Sequence, residues 1–339
     1  MKRIDFIKNG VLSATGISLL SSFKFSEESP NLPRIKPPAL KKNDKIAVIS
    51  PAGAVWNNDR INDFVTILKS FGFDVVLGKS LENKFGYFSG TDEFRAKEIN
   101  DLFKDKTIKG IFCMKGGWGC ARLLDKLDYE LIKSNPKVLI GFSDITSLLI
   151  AITNKTGLIT FHGPVGNSGW NGFTSSSFKK VVMESAVFEF QNHDAAKNFE
   201  VLSKGKALGE LVGGNLSVLC GFAGSEYFKD LKGKILFLEE FKEEPYSIDR
   251  MLTQLKLLNV FNEVSAVILG QFSKCVPEEP EKSFSLQEVF DQYFKNIDIP
   301  VISNVDIGHV ENKHTIPIGC KATIDTEKGI LKLREAAVS

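Results

Sequence analysis

The chain has 339 residues, 43% of them hydrophobic and 25% charged, and its formal net charge is +2. This composition is typical of a globular protein, and the length fits two packed domains better than one oversized domain. The lysines are scattered rather than massed on one segment, so the charge pattern does not favour nucleic-acid binding. The five cysteines include no C-x-x-C pair, which indicates neither a disulfide framework nor a zinc site.

The N-terminal segment, residues 1–23, has the layout of an export signal. Lys2, Arg3 and Lys8 supply positive charge, and the residues that follow are mostly apolar and small. This stretch is too short for a permanent membrane span, so we expect export, to the periplasm, without a stable span. An amphipathic N-terminal helix on a cytoplasmic protein is the alternative. Residues 24–42, rich in Pro, Ser and Lys, are predicted to be a linker.

Strands and helices alternate from residue 43 onwards. Short apolar runs that end in turns predict the strands, and apolar residues at helical spacing predict the helices between them. The predicted strands are 45–50, 74–77, 110–114 and 137–140. This βαβα order predicts an α/β fold with an N-terminal, flavodoxin-like parallel sheet domain over residues 43–165.

The alternation breaks over residues 166–205, where Gly, Ser and Asn cluster before a polar stretch. We predict an interdomain linker there. Residues 206–339 are predicted to form a second, smaller α/β domain that ends in a β-hairpin. Its predicted elements are strands at 207–212, 235–238 and 266–269, a helix at 247–258 and a hairpin turn at 325–329.

Ser143 lies where a predicted strand runs directly into a predicted helix, in the sequence Gly-Phe-Ser-Asp-Ile-Thr. A tight turn there would expose the hydroxyl and aim the first N–H groups of the helix at a developing oxyanion. This is the logic of a nucleophile elbow, although Ile145 replaces the second glycine of the usual G-x-S-x-G form. The alternative is that Ser143 or Asp144 is an ordinary helix N-cap.

A glycine-rich loop, residues 116–119, follows the preceding strand, at the sheet edge where ligands collect in open α/β folds. Glycines allow close backbone approach and N–H donation to a ligand. A tight strand-to-helix turn is the alternative. The loop lacks both the G-x-G-x-x-G spacing and a Walker lysine, which argues against phosphate binding.

A serine nucleophile needs a base and an acid that orients it. Four histidines are available: His162, His193, His309 and His314. His162 and His309 both follow apolar strands and remain rivals on this ground, while Glu239 and Glu240 close another strand and are the candidate acids. There is no H-E-x-x-H motif, and the pair His309 and His314 has only Glu311 as an obvious third ligand, so metal-dependent hydrolysis is not indicated.

Seven short segments, taken in their order along the chain, resemble the LD-carboxypeptidase family of serine peptidases. This family includes muropeptide carboxypeptidases and microcin C immunity peptidases. The resemblance covers about residues 40–330, and no single segment carries it. The segments are 47–53, 115–119, 141–144, 213–216, 238–240, 249–255 and 308–309.

The resemblance implies a Ser-Glu-His triad of Ser143, Glu239 and His309, which selects His309 over His162. It also implies an oxyanion hole made by the backbone N–H groups of Gly117 and Asp144, no cofactor, and a homodimer. The expected reaction releases a terminal D-amino acid, D-alanine in the peptidoglycan tetrapeptide stem, through an acyl-enzyme.

Three positions depart from the family pattern. Lys115 and Trp118 replace the usual Arg and Tyr, and Glu240 replaces an Asp. The first two changes bear on substrate fit and leave the backbone role of Gly117 intact. Three other functions remain open: a microcin C-type immunity peptidase, an exported two-domain ligand-binding protein, and an α/β-hydrolase esterase, although the last would need the missing elbow glycine and an HGGG-type loop.

Overall fold

The computed structural model describes residues 32–194 and 199–339. The predicted export signal, residues 1–23, lies outside the described residues. None of the helices within these two ranges is both long and apolar enough to cross a membrane.

The first domain has a central sheet of five parallel strands in the spatial order β2-β1-β3-β4-β5. The strands are β1 (Lys45–Ile49), β2 (Asp74–Leu77), β3 (Ile108–Cys113), β4 (Val138–Gly141) and β5 (Thr160–His162). Strands β1, β3 and β4 are almost completely buried, as parallel strands covered on both faces must be. The strand order is the flavodoxin-like one, so the predicted fold class is confirmed.

Helices connect these parallel strands. They are α1 (Asp59–Ser70), α2 (Asp92–Lys104), α3 (Tyr129–Ser134) and α4 (Thr146–Thr156), with short 3-10 helices at Lys79–Leu81, Cys120–Lys126 and Ser143–Ile145. Helix α1 buries Ile61, Phe64 and Leu68, three positions on one helical face.

Residues 166–205, predicted as a linker, contain helix α5 (Gly172–Val182) and strands β6 (Glu189–Phe190) and β7 (Glu200–Ser203). The helix is rich in small polar residues, so its sequence looks like a loop. Thr174 and Ser177 are nevertheless buried with its apolar face, and Asn171 caps its start by accepting a hydrogen bond from the Thr174 N–H at 3.0 Å. Capping and packing override the loop-like composition.

The second domain is built on a mixed eight-stranded sheet in the order β6-β14-β13-β8-β9-β10-β11-β7. Strands β8 to β11 are parallel to one another, and β13 and β14 form the predicted terminal hairpin. The strands that follow β7 are β8 (Lys206–Asn215), β9 (Ile235–Phe241), β10 (Ala266–Ser273), β11 (Val301–Ser303), β12 (Ile316–Ile318), β13 (Lys321–Asp325) and β14 (Ile330–Leu333). The helices are α6 (Leu216–Cys220), α7 (Pro245–Leu257), α8 (Val260–Glu263) and α9 (Leu286–Phe294), with a 3-10 helix at Pro280–Lys282.

Strand β12 follows the strands of the second sheet in the chain, but it is the sixth strand of the first sheet. It pairs antiparallel with β5, and Ile316 lies opposite His162. The chain that enters β12 has just left β11 in the second sheet, so the connection that carries His309 runs between the two sheets. Residues 32–339 accordingly form one compact unit.

His314 is buried at the junction that follows this connection. Its ring packs against Phe188 and Phe190, with centroid distances of 5.6 and 5.2 Å. Its Nε2 lies 2.9 Å from the Gln191 carbonyl oxygen and its Nδ1 lies 3.3 Å from Ser177 Oγ. Burial lowers the pKa of His314 to about 4, although the Gln191 carbonyl opposes this. The neutral ring is therefore part of the folded state at pH 7.

We predict that acid destabilises the fold partly through His314. Between pH 6.5 and about 4 the unfolded chain binds a proton that the folded ring rejects, so the free energy of unfolding must fall as the pH is lowered through this window. Urea denaturation at several pH values measures the slope. His314→Leu should reduce the slope by up to about one proton, even if the variant is less stable at every pH. Identical slopes for the two proteins would contradict the prediction.

Candidate active site

Ser143 occupies a strained turn at the carboxyl end of β4. Its φ is +63°, a left-handed conformation that costs a non-glycine residue free energy and is found preferentially at functional sites. A β-carbon added to Gly116 in the neighbouring loop would lie 2.9 Å from Ser143 Oγ, so only glycine fits beside the hydroxyl. The conformation and the close approach both match a nucleophile elbow.

Neither Ser143 nor Asp144 caps helix α4 through its side chain. The residue before the helix is Ile145, and no side-chain cap is present. The Asp144 carboxylate instead accepts a hydrogen bond from the Cys120 N–H at 2.8 Å. The Ser143 hydroxyl makes no hydrogen bond to the described part of the chain, and it lines an open pocket. The helix-cap interpretation of this motif is therefore wrong.

Glu239, in β9 of the second sheet, forms a close pair with His309. His309 Nδ1 lies 2.7 Å from Glu239 Oε2. The carboxylate is completely buried in β9, and the imidazole is only partly exposed. Desolvation of the carboxyl group would raise its pKa, but the hydrogen bond and charge of His309 outweigh it and keep the pKa of Glu239 below its ordinary value. Glu239 is therefore ionised and holds His309 by Nδ1, which leaves Nε2 free for another partner.

Two phenylalanines fix the plane of the His309 ring. Phe241 stacks on it at 4.8 Å with an interplanar angle of 14°, and Phe142 meets it edge to face at 4.7 Å. Phe142 directly precedes Ser143 and lines the same pocket as Ser143 and His309. Packing thus orients the ring against the turn that carries the serine.

Ser143 and His309 line one pocket of about 420 Å³, together with Lys115, Gly116 and Gly117. No hydrogen bond joins the Ser143 hydroxyl to His309 among the described residues. Catalytic hydrogen bonds are often long in a site without substrate and tighten when the substrate binds. The structure therefore brings the predicted nucleophile, base and acid to one place. The Glu239–His309 hydrogen bond is formed, and the hydrogen bond between Ser143 and His309 is not.

Gly117 lies in this pocket with φ +134°, and a β-carbon there would meet Gly53 of the loop after β1. Its N–H makes no hydrogen bond to the described residues, so it is available to a ligand. The N–H of Asp144 belongs to the first turn of a 3-10 helix, where N–H groups lack helical partners. Both predicted oxyanion donors therefore come from turns next to Ser143.

Glu240, the rival acid, has a different role. Successive residues of a strand face opposite ways, and Glu240 accepts hydrogen bonds from Asn215 Nδ2 at 3.0 Å and from the Ser217 N–H at 2.7 Å. Burial raises its pKa. It ties β9 to the start of helix α6 rather than binding a histidine.

The other histidines do not reach the pocket. His162 packs against Phe142, with ring centroids 5.9 Å apart. Both of its ring nitrogens are buried and find no hydrogen-bond partner in the described part of the chain, and burial lowers its pKa to about 4. His193 pairs with Asp306 at 2.9 Å, and His314 is buried as described above. Within residues 32–194 and 199–339, no cluster of three or more His, Cys, Asp or Glu side chains is arranged to hold a metal ion.

Arg95 supports the glycine loop and was not singled out in the sequence. Its side chain is fully buried, donates to the Pro51 carbonyl at 2.7 Å and the Gly119 carbonyl at 3.3 Å, and pairs with Asp92 at 2.6 Å. It thus joins the loops that follow β1 and β3. An arginine within the apolar positions of helix α2 was the available signal.

Comparison with known proteins identifies the family. Residues 46–163 match the LD-carboxypeptidase N-terminal domain, and residues 208–324 match the LD-carboxypeptidase C-terminal domain. The chain belongs to the LD-carboxypeptidase family. The match to both family domains confirms the resemblance identified in the sequence.

Members of the LD-carboxypeptidase family resemble the chain over almost its whole length. It is 38% identical to a probable murein peptide carboxypeptidase of Bacillus subtilis, over 90% of this chain and 95% of that protein. It is 31% identical to the murein tetrapeptide carboxypeptidase of Pseudomonas aeruginosa, over 83% and 93%. The structure of MccF in complex with glutamyl sulfamoyl guanosine superposes with a TM-score of 0.81 at 31% identity, over 90% and 99% of the two chains.

We predict that Gly308→Ala destabilises this member of the LD-carboxypeptidase family strongly. Gly308 has φ +104°, and an added β-carbon would lie 2.7 Å from Glu239 Cβ and would also contact the carboxylate. Backbone strain and overpacking together should cost about 3 kcal/mol or more. Urea denaturation measures this cost.

The matched control is Gly233→Ala. Gly233 has φ +71°, and no atom of the described residues lies within 4 Å of the added carbon, so only the left-handed backbone should cost free energy, about 1 kcal/mol. Equal losses in the two variants would show that the close approach of Gly308 to Glu239 is unimportant.

Proposed function

We propose that the protein is a serine carboxypeptidase that cleaves the amide bond between an L-centre and a terminal D-amino acid. The observation that carries this proposal is the buried Glu239–His309 pair at 2.7 Å, in the same pocket as Ser143 at its strained turn. The D-alanine of the peptidoglycan tetrapeptide is the proposed leaving residue. The names of the Bacillus and Pseudomonas relatives, murein peptide and murein tetrapeptide carboxypeptidase, support this substrate class.

The proposed reaction begins with Nε2 of His309 taking the Ser143 hydroxyl proton while Oγ attacks the scissile carbonyl carbon. The carbonyl oxygen becomes an oxyanion that accepts hydrogen bonds from the N–H groups of Gly117 and Asp144. His309 then donates the proton to the amide nitrogen, and the C–N bond breaks. The terminal amino acid leaves, and the rest of the peptide remains as an ester on Ser143.

Water completes the cycle. His309 removes a proton from the water as its oxygen attacks the ester carbonyl, and the Ser143 oxygen leaves and takes that proton back. Glu239 stabilises the imidazolium in both steps and fixes the tautomer, because it binds Nδ1. Its complete burial keeps water from competing for that hydrogen bond.

A microcin C-type immunity peptidase is the second candidate. The superposition on MccF, with a TM-score of 0.81, supports this second function. The same three side chains would cleave the amide of an aminoacyl sulfamoyl nucleoside. A glutamyl sulfamoyl nucleoside is therefore the competing substrate in the test below.

We predict that purified protein releases D-alanine from a murein tetrapeptide and that Ser143→Ala lowers kcat by about three orders of magnitude or more. His309→Gln should lose activity comparably, since the base and the nucleophile act as a unit. Amino-acid analysis of the product measures the release, and mass spectrometry of rapidly quenched wild type should detect the acyl-enzyme on Ser143.

His193→Gln is the matched histidine control, because His193 lies outside the pocket, and it should retain wild-type turnover. Preference for the sulfamoyl conjugate over the tetrapeptide would favour the immunity-peptidase function. An active Ser143→Ala variant would exclude Ser143 as the nucleophile. If wild type cleaves neither substrate, the result would favour a ligand-binding protein over a peptidase.

A further inference from the structure

Lys313 is a buried cation in the wall of the candidate active site. It lies on the connection between β11 and β12, four residues after His309, and only 4% of it is exposed. It lines the same pocket as Ser143 and His309. Its Nζ lies 5.2 Å from the centroid of the Phe142 ring, the ring that also contacts His309.

The ammonium group of Lys313 has no hydrogen-bond or ion-pair partner among the described residues. Lys137, equally buried at the start of β4, shows how this protein satisfies a structural lysine. Its Nζ donates to the carbonyl oxygens of Leu102 at 3.0 Å, Asp105 at 2.6 Å and Ile108 at 2.9 Å. A buried charge without such partners is costly, so the site of Lys313 favours an incoming anion.

The acids nearest to Lys313 do not neutralise it by direct contact. Burial lowers the pKa of Lys313 to about 8, while the charges of Glu239 and Glu311 oppose that decrease. Oε2 of Glu239 is already bound to His309. The ammonium form therefore predominates at pH 7. It faces the Phe142 ring, and no carboxylate of the described residues is in contact with it.

Lys115, the other lysine of the pocket, is placed differently. Its Nζ donates to the Ala54 carbonyl at 3.2 Å, on the side of the glycine loop. It already has a protein partner, so it is the weaker candidate for a ligand anion.

An enzyme that removes only a terminal residue must recognise the free carboxylate. One residue spans at most about 3.6 Å, so the carboxylate of the leaving residue lies in the same pocket as the bond that is cut. We propose that Lys313 binds the C-terminal carboxylate of the substrate and thereby determines exopeptidase specificity. This assignment rests on the proposed carboxypeptidase function.

The test compares two substrates that differ only at this carboxylate: a murein tetrapeptide ending in D-alanine, and the same peptide ending in D-alaninamide. Wild type should prefer the acid by about 100-fold in kcat/KM, the effect of losing a desolvated charge pair. Lys313→Met keeps the length of the side chain but removes its charge. It should lower kcat/KM for the acid by about 100-fold and leave the amide within about threefold, so that the preference disappears.

Two further variants separate recognition from folding. Lys313→Arg keeps the charge and should retain part of the preference for the acid, even if its total activity falls. Lys137→Met removes an equally buried lysine far from the pocket; it should lower stability and leave the acid-to-amide ratio unchanged. The ratio is measured on folded protein, checked by circular dichroism.

Each contrary outcome has a separate meaning. Equal losses on the acid and the amide in Lys313→Met would make Lys313 a purely structural residue and overturn the assignment. A wild type that cleaves both peptides equally well would overturn carboxylate recognition while leaving the peptidase function intact. A wild type that cleaves neither peptide would overturn the proposed function and this assignment together.

Discussion

The contact between Glu239 and His309 is the constraint on which the rest of the site depends. It places an ionised carboxylate in β9, completely out of water, where a charge is tolerated only if a partner reaches it in good geometry. His309 is that partner at 2.7 Å, and Gly308 is the neighbour that allows the approach. The stacking of Phe241 and the edge of Phe142 then fix the imidazole plane. Burial, pairing and packing thus determine together which nitrogen faces the pocket.

Each of the two sheets supplies part of the candidate site, and the topology determines which part. Ligand sites in open α/β sheets form beyond the carboxyl ends of the parallel strands, and Ser143 and the glycine loop lie at those ends of β4 and β3. Strand β9 of the second sheet supplies Glu239. Thr146 at the start of helix α4 accepts a hydrogen bond from the Asn215 N–H at 3.1 Å, which joins the serine turn directly to the end of β8.

Much of this arrangement could be predicted from sequence because it depends on order and on strand ends. The apolar runs before Ser143 and Glu239 predicted their positions, and the family motifs selected His309 over His162. Other features could not be predicted. Helix α5 has a loop-like composition, so its sequence did not show that Thr174 and Ser177 are buried. Strand β12 has three residues, too few to show the alternation of a strand. A lysine in a connection between strands is ordinarily solvated, so nothing local marked Lys313 as buried.

Strand β12 anchors the far end of the connection that carries His309. One end of this connection is anchored in the second sheet through β11 and the other in the first sheet through β12, so His309 lies on a segment that links the two sheets. Separating the sheets would peel β12 from β5 and expose the edge of the parallel sheet. Assembly of the site and completion of the first sheet are consequently the same event. A fragment ending before β12 would leave the edge of β5 unpaired and the connection that carries His309 anchored at one end only.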